Sequence, residues 1–351
     1  MVTLLAPAAE NLYTGGYLFN QRAEKTAEAD TLVYRILPQP LPRTEELKDF
    51  GIEQDSKLLL DSLFFRSPEW VLEVIKKWKA PISLLIHSLP SREPGLGAEE
   101  SALLRQAEFS CIQACSRIIT TSIFMKKLIE SEYGTLLPVA AIHPGYSRPS
   151  RIGTDPTEGK YRLGKLTWPP GGTRLITISN WTGAKNHRFL LHVLKEVEDL
   201  PWQWRIYGAG SPDGSLEDAF QRNTEQLGLQ GRIQKGPRLH PDEAGRELEH
   251  ADIFLFPSLF ESYGMILAEA LGAGLPCIAN RIGGIPEVFG HSEAGILCRP
   301  GQTGQWSRSL KKLLLSPSRR ERMHRQALLR AADFPSWRET AEHICAFLEV
   351  P

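Results

Sequence analysis

The sequence predicts an α/β protein with two doubly wound parallel-sheet domains. Short apolar runs alternate with helical patterns along the chain, which is typical of parallel sheets covered by helices on both faces. A chain of 351 residues is also long enough to build two hydrophobic cores. Between the halves, residues 146–173 are rich in proline and glycine and have little periodicity, so we interpret them as a linker.

The first half begins with an apolar segment, residues 1–9. It lacks a basic leader and a long apolar run, so we interpret it as a β-strand and not as a secretory signal. Helical patterns follow at residues 68–79 and 99–115. The predicted strands of this half are V-T-L-L-A, T-L-V-Y-R-I, K-L-L-L-D-S-L, I-S-L-L-I-H, R-I-I-T-T and V-A-A-I-H.

The second half repeats the alternation, with helical patterns at residues 188–198 and 215–227. Its predicted strands are L-I-T-I-S, W-R-I-Y-G, R-I-Q-K-G, I-F-L-F-P, P-C-I-A-N and G-I-L-C. The tail is predicted to be a helix with Trp337, Ala341 and Ile344 on one side. We therefore predict two Rossmann-like domains, whose carboxyl edges would leave a cleft for ligands, and a final helix, at residues 1–165, 166–333 and 334–351.

Composition excludes several classes of function. Lysine plus arginine equals aspartate plus glutamate, so the net charge is zero and nucleic acid is not the expected partner. The five cysteines show no C-x-x-C spacing, which favours reduced thiols in the cytoplasm. No window approaches 18 uninterrupted apolar residues, so no membrane span is expected. Lys126 and Lys127 stand among apolar residues, a pattern that fits either a membrane surface or a helix packed on the sheet.

The segment F-P-S-L-F-E-S-Y-G-M-I-L-A-E-A-L-G-A-G-L-P, residues 256–276, carries the most chemical information. A strand, a turn with an acid and a glycine, and then a helix is how an α/β sheet forms an anion site. The amides near Gly264, Met265 and Ile266 would bind a phosphate. Glu261 and Glu269 would accept hydrogen bonds from hydroxyl groups. The alternative is that both glutamates only favour the helix dipole.

This segment resembles the signature of family 4 retaining glycosyltransferases of the GT-B fold. The resemblance rests on Pro-Ser, the E-x7-E spacing and Gly-x-Pro, and it continues into R-I-G-G-I-P-E-V-F at residues 281–289. It implies that Glu261 binds the donor sugar, that Glu269 binds the nucleotide ribose and that the helix start holds the diphosphate. It also implies that the first domain takes the acceptor, that the second binds the donor and that the last helix crosses back.

The resemblance assigns further residues. It places the Gly15-Gly16 loop at the donor phosphate or acceptor, His87 near the reacting sugar carbon and Lys185 at the diphosphate. Asn180 departs from the family, which has an arginine there, so Arg188, Arg238 or Arg281 would have to supply that cation. Arg238 and Leu239 belong to the loop that would hold the base.

The implied reaction moves a sugar from a nucleoside diphosphate sugar, first of all a UDP-sugar, to an unidentified acceptor with retention. It needs no cofactor, and the absence of an Asp-x-Asp motif agrees with a site without metal. Two other functions stay open. One is a non-catalytic sugar-nucleotide binding protein. The other is a nicotinamide-dependent oxidoreductase, which would need a full G-x-G-x-x-G, whereas Gly208-Ala209-Gly210 lacks the third glycine.

Overall fold

The computed structural model describes residues 1–8, 14–28, 31–147, 172–211 and 213–349. The chain forms two compact units. Unit 1 consists of Met1–Tyr146, Phe260–Met265 and Phe334–Pro351, and unit 2 consists of Ser147–Leu259 and Ile266–Asp333. Most of the predicted linker, including the domain boundary predicted after residue 165, lies outside the described residues.

The described residues contain twelve strands and twelve α-helices, which alternate along most of the chain. The strands are β1 (Val2–Pro7), β2 (Leu32–Leu37), β3 (Lys57–Asp61), β4 (Ile82–Ile86), β5 (Arg117–Thr120), β6 (Val139–Ala141), β7 (Thr173–Ile178), β8 (Trp202–Tyr207), β9 (Ile233–Gly236), β10 (Ile253–Phe256), β11 (Cys277–Asn280) and β12 (Gly295–Cys298). The helices are α1 (Gly15–Thr26), α2 (Pro68–Lys77), α3 (Ala98–Ala114), α4 (Ile123–Tyr133), α5 (His187–Lys195), α6 (Ser215–Gln226), α7 (Pro241–Glu249), α8 (Met265–Gly272), α9 (Ile285–Phe289), α10 (Thr303–Leu314), α11 (Pro317–Ala332) and α12 (Trp337–Glu349).

Unit 1 is built on a parallel sheet with the strand order β2-β1-β3-β4-β5-β6. Alternate side chains of each strand face opposite sides of this sheet. Leu58 and Leu60 of β3 belong to one buried cluster, whereas Leu59 belongs to the cluster on the other side. Both faces are therefore covered, as the apolar strand patterns predict. The winding direction reverses between β1 and β3, which makes this pair the switch point of the sheet.

Unit 2 has the strand order β12-β11-β10-β7-β8-β9, again with parallel pairs throughout. Its chain starts in the middle at β7, proceeds outward to β9, returns to β10 on the other side and proceeds outward to β12. This is the strand order of the Rossmann fold, with the switch point between β7 and β10. The prediction of two Rossmann-like parallel-sheet domains is confirmed.

Two helices pack their apolar faces into the core of unit 1. In α12, the stripe formed by Trp337, Ala341 and Ile344 is buried, and the ring of Trp337 meets that of Phe19 at 5.5 Å. In α4, Met125 and Ile129 are buried in the core of unit 1, so the helix packs its apolar face on the sheet. Among the described residues, no helix is both long enough and apolar enough to cross a bilayer.

Candidate functional site

Doubly wound sheets bind ligands outside the carboxyl ends of their strands, at the switch point. In unit 2, β7 and β10 are direct neighbours at this point. The segment after β7 carries Asn180 and Lys185, and the segment after β10 leads through Gly264 into α8. A hydrogen bond ties the two segments together, because the Leu259 amide donates to the Ala184 carbonyl at 2.7 Å. The residues predicted to hold a diphosphate thus come from the two connections that flank the switch point.

Gly264 shapes the start of α8. Its φ angle of 103° is one that residues with a Cβ rarely adopt, so the backbone requires glycine here. Met265 is the first residue of α8, and the half-buried Ile266 follows it. The first amides of a helix have no acceptor within the helix and lie at the positive end of its dipole. This arrangement is chemically suited to a phosphate group.

The two motif glutamates occupy different positions relative to α8, and both are half-buried. Glu261 lies in the connection before the helix. Glu269 is the fifth of the eight residues of α8, beyond its midpoint. A carboxylate there gains nothing from the helix dipole, because the favourable end is the N-terminus. The geometry therefore disfavours the dipole interpretation for Glu269 and leaves it open for Glu261.

Lys185 closes a short 3-10 helix, Gly183–Lys185, in the segment after β7. Its Nζ lies 5.8 Å from the ring centroid of Phe256, the last residue of β10. The same ammonium group acts on His187, whose pKa is lowered to about 3, first by burial and then by the charge of Lys185. Lys185 therefore places a cation near the side chain of the last residue of β10.

Asn180 makes a structural contact of its own. Its Oδ1 accepts a hydrogen bond from the Ala209 amide at 3.2 Å, which joins the segments after β7 and β8. Of the cations considered as substitutes for the family arginine, Arg188 is engaged elsewhere. When the Asn223 side-chain amide is oriented with its oxygen toward Arg188, that oxygen accepts hydrogen bonds from Nε and Nη2 of Arg188 at 2.8 and 3.0 Å. Arg281 is exposed, and Arg238 is half-buried.

The G-x-G segment after β8 does not have the geometry of a dinucleotide loop. Glu217 of α6 accepts from the Ser211 amide at 2.8 Å. A Cβ added to Gly210 would lie 2.6 Å from Oε1 of the same glutamate. The segment thus folds around a carboxylate of the protein itself, which would repel a pyrophosphate. Pro212 in this segment lies outside the described residues.

After β9, Leu239 is buried and adjoins Arg238 in the loop predicted to hold the base.

In unit 1, the predicted residues lie after β1 and β4. Gly15 and Gly16 are the first residues of α1, and His87 follows the end of β4 directly. The structure brings Gly16 and His87 together, since a Cβ added to Gly16 would lie 3.1 Å from Cδ2 of His87. A Cβ added to Gly15 would lie 3.9 Å from Sδ of Met265, which also belongs to this unit.

His87 is held in a polar network that the sequence interpretation missed. Its Nε2 lies 2.9 Å from Oδ1 of Asn20, and Nδ2 of Asn20 donates to Oδ2 of Asp61 at 2.6 Å. Asp61 is fully buried at the end of β3. Burial lowers the pKa of His87, and the Asp61 carboxylate only partly opposes this shift. A lowered pKa favours the neutral ring near neutral pH, and between a neutral ring and Asp61 the 3.4 Å approach is not an ion pair. An aspartate that ends the apolar run K-L-L-L-D was the available signal.

No metal centre is apparent among the residues that the structure describes. Within those ranges, no group of three histidine, cysteine, aspartate or glutamate side chains is placed to hold an ion. All five cysteines fall within the described residues and are free thiols. Burial raises the pKa of both Cys111 and Cys115 to about 12, as expected for thiols that pack in a core.

Sequence comparison identifies a matching family and several relatives that share one name. The model of the family described as glycosyl transferases group 1 matches residues 163–330. A D-inositol 3-phosphate glycosyltransferase of Corynebacterium efficiens is 30% identical over 306 residues, which cover 84% of this chain and 70% of that relative. Further relatives with the same name align with this chain over about a third of their own length.

Solved structures share the fold at low sequence identity. Sucrose-phosphate synthase from Thermosynechococcus elongatus superposes with a TM-score of 0.79 at 13% identity, over 99% of this chain and 97% of that one. HepE of Anabaena, solved in complex with UDP and glucose, superposes with a TM-score of 0.78 at 13% identity, over 100% of this chain and 99% of that one. At these identities the likeness concerns the fold alone.

Proposed function

This chain belongs to the glycosyl transferases group 1 family, and we propose that it moves a sugar from a nucleoside diphosphate sugar to an acceptor hydroxyl with retention of the anomeric configuration. Family membership makes the chain a glycosyltransferase. One observation carries the finer proposal: a helix that starts at a left-handed glycine, Gly264, follows β10 at the switch point of unit 2. Such a helix start suits the diphosphate of the donor.

The leaving group determines the main electrostatic demand of this reaction. Breaking the bond between the sugar and the diphosphate places negative charge on a phosphate oxygen. We assign the stabilisation of this charge to Lys185 and to the amides of α8 at Met265 and Ile266. The Nζ of Lys185 lies 5.8 Å from the ring centroid of Phe256, the last residue of β10, which supports this assignment. No general base is assigned, because in a retaining reaction the leaving phosphate can accept the acceptor proton on the same face.

The remaining site residues would orient the donor. Glu261 would accept hydrogen bonds from the sugar and Glu269 from the ribose, since a carboxylate offers several lone pairs to neighbouring hydroxyls. His87 would contact the sugar near its reacting carbon. Arg238 and Leu239 would bind the base. Glu269 lies in the second half of α8, where the helix dipole does not favour a carboxylate, and this position supports its assignment to the ribose.

The comparisons suggest the substrates to test first. HepE, which shares the fold, was solved with UDP and glucose, so UDP-glucose is the first donor. The relative that aligns over most of this chain is named for D-inositol 3-phosphate, so we propose a polyol phosphate as the acceptor class.

A second function is favoured by one observation. The family arginine is replaced by Asn180, which bonds to the backbone of Ala209, and this leaves one cation fewer for the leaving group. A protein that binds sugar nucleotides without turning them over would tolerate that loss. Binding alone therefore cannot decide between the two functions.

The test starts with thermal unfolding in the presence of UDP, GDP and ADP. The nucleotide that stabilises the protein selects the donors, and release of free nucleoside diphosphate from them is then measured with and without D-inositol 3-phosphate. We expect release, and we expect it to survive a chelator. A raised melting temperature without release from any donor would support the binding protein instead.

A further inference from the structure

The environment of His87 defines which of its ring nitrogens carries the proton. Oδ2 of Asp61 faces the Asn20 amide at 2.6 Å, while Oδ1 of Asp61 accepts from the Leu63 amide at 2.9 Å. A carboxylate only accepts hydrogen bonds, so Asn20 must present its NH2 group to Asp61. Oδ1 of Asn20 is then the atom that faces Nε2 of His87 at 2.9 Å. An amide oxygen only accepts, so Nε2 must carry the proton.

The ring is also fixed in position. The backbone amide of His87 donates to Oγ of Ser62 at 3.0 Å. The edge of Phe19 approaches the ring with a centroid distance of 4.9 Å. Gly16 leaves no room beside the ring, since a Cβ there would come within 3.1 Å of it. Asn20 and Asp61 are fully buried, so water does not compete for their hydrogen bonds.

We propose that Asp61 and Asn20 are positioning residues for glycosyl transfer: they hold His87 as the neutral tautomer with its proton on Nε2, so that Nδ1 accepts a hydrogen bond from a substrate hydroxyl. This inference rests on the proposed function. The location of the Asp61-Asn20-His87 network agrees with this role, because β1 and β3 flank the switch point of unit 1 and β4 adjoins β3. Asp61 ends β3, and Gly16 follows β1 in the chain. Doubly wound sheets bind ligands at this edge.

The tautomer is measured directly by NMR on the full-length, nitrogen-15-labelled protein near neutral pH. Two-bond correlations between ring carbon-bound protons and ring nitrogens distinguish a protonated nitrogen from a bare one. The His87 signals are assigned by their loss in His87→Gln. We expect Nε2 to be protonated and Nδ1 to be bare. A proton on Nδ1 in the wild-type protein would overturn the proposal before any variant is made.

Asp61→Asn tests the direction of the hydrogen bonds that run from His87 through Asn20 to Asp61. The new amide keeps an oxygen for the Leu63 amide and presents its NH2 to Asn20, so the Asn20 amide turns round and offers its own NH2 to His87. We expect His87 to switch its proton to Nδ1. The kcat for transfer should fall about tenfold or more, because Nδ1 can no longer accept from the substrate hydroxyl. The dissociation constant for UDP should stay within about twofold, since neither Asp61 nor Asn20 is assigned to the nucleotide.

Two further variants complete the design. Asn20→Ala removes the bridge without adding a charge and should lower kcat similarly, which keeps the test decisive if Asp61→Asn does not fold. Asp252→Asn is the matched control: Asp252 precedes β10, where it bonds to Arg174 at 2.8 Å, far along the strand from the carboxyl edge. It should leave kcat unchanged.

The outcomes separate this inference from the proposed function. A switched tautomer with unchanged kcat in Asp61→Asn would overturn the positioning role while transfer itself stands. If the wild-type protein releases nucleoside diphosphate from no donor, the proposed function fails and the positioning role fails with it. The ring spectrum would still report the tautomer in that case.

Discussion

Glu269 is the residue that we assign to the nucleotide ribose. Replacing it with alanine removes a carboxylate from the second half of α8, where the helix dipole does not favour one. We expect the free energy of UDP binding to weaken by about 1.5–3 kcal/mol, the range for hydrogen bonds to a charged group. Calorimetry measures this. Glu249→Ala is the control, because Glu249 is an exposed glutamate at the end of α7. Equal UDP affinity in the wild-type protein and Glu269→Ala would refute the ribose assignment.

Lys185 tests the leaving-group assignment. The resemblance places Asn180 where the family has an arginine, so we expect Lys185 to carry more of the diphosphate charge. Lys185→Ala should lower turnover about a hundredfold or more, the usual cost of removing one charge-stabilising donor. The melting temperature without ligand should hardly change, and Lys312→Ala, on the exposed side of α10, is the control. A loss below about tenfold would shift the assignment to Arg238 or Arg281.

His187 connects stability to pH. Burial and the charge of Lys185 lower its pKa to about 3, against an ordinary 6.5. As the pH falls through this interval, the unfolded chain takes up a proton that the folded protein refuses, so stability declines by up to about 1.4 kcal/mol per pH unit. Chemical denaturation between about pH 7.5 and 5 should therefore show a shallower decline for His187→Gln than for the wild-type protein.

The control for this experiment lies in the same helix. His192→Gln replaces an exposed histidine of α5 and should keep the wild-type slope. Parallel slopes for the wild-type protein and His187→Gln would mean that His187 takes up its proton in the folded state.

At the scale of elements, the turn into α8 depends on one glycine. Gly264 has a φ of 103°, so Gly264→Ala should destabilise the protein by about 1–2 kcal/mol and should also weaken UDP binding by moving the first amides of α8. Gly245→Ala is the matched control. Gly245 lies inside α7 with nothing within 4 Å of an added Cβ, so alanine there should stabilise by about 0.5–1 kcal/mol. Thermal unfolding compares the two, and an equal effect would contradict the strain at Gly264.

Helix and strand periodicity predicted most elements, because buried parallel strands and amphipathic helices leave clear patterns. The helix predicted at residues 68–79 is α2, Pro68–Lys77, and that predicted at 215–227 is α6, Ser215–Gln226. The end of α5 was predicted three residues too late, at 198 instead of Lys195, since Glu196 and Glu198 fit a helical pattern although the chain turns there.

The buried network around His87 was not predictable in the same way. Asn20 lies in α1, Asp61 ends β3 and His87 follows β4, and only the strand order brings them together. Periodicity gives the class of each element but not which strands are neighbours. Conversely, Gly264 and Glu269 were recognisable because their geometry is local: one connection and one helix contain both.

At the scale of the whole molecule, both units of the chain are built on a doubly wound parallel sheet. Each unit has a six-stranded parallel sheet among its described residues, with its switch point between β1 and β3 in unit 1 and between β7 and β10 in unit 2. Unit 1 also takes in Phe334–Pro351, so its core includes the last helix of the chain. The alternation of patterns in the sequence predicted both sheets because most of their strands carry short apolar runs.

The most direct test of retaining glycosyl transfer is the anomeric configuration of the product. The wild-type protein is incubated with UDP-glucose labelled at the anomeric carbon and with D-inositol 3-phosphate, and proton and carbon NMR follow the labelled position over time. UDP-glucose carries the α configuration, so we expect a new α-linked signal that grows as free UDP appears. A β-linked first product would contradict retention, and a donor signal that stays unchanged with every nucleotide sugar would contradict transfer itself.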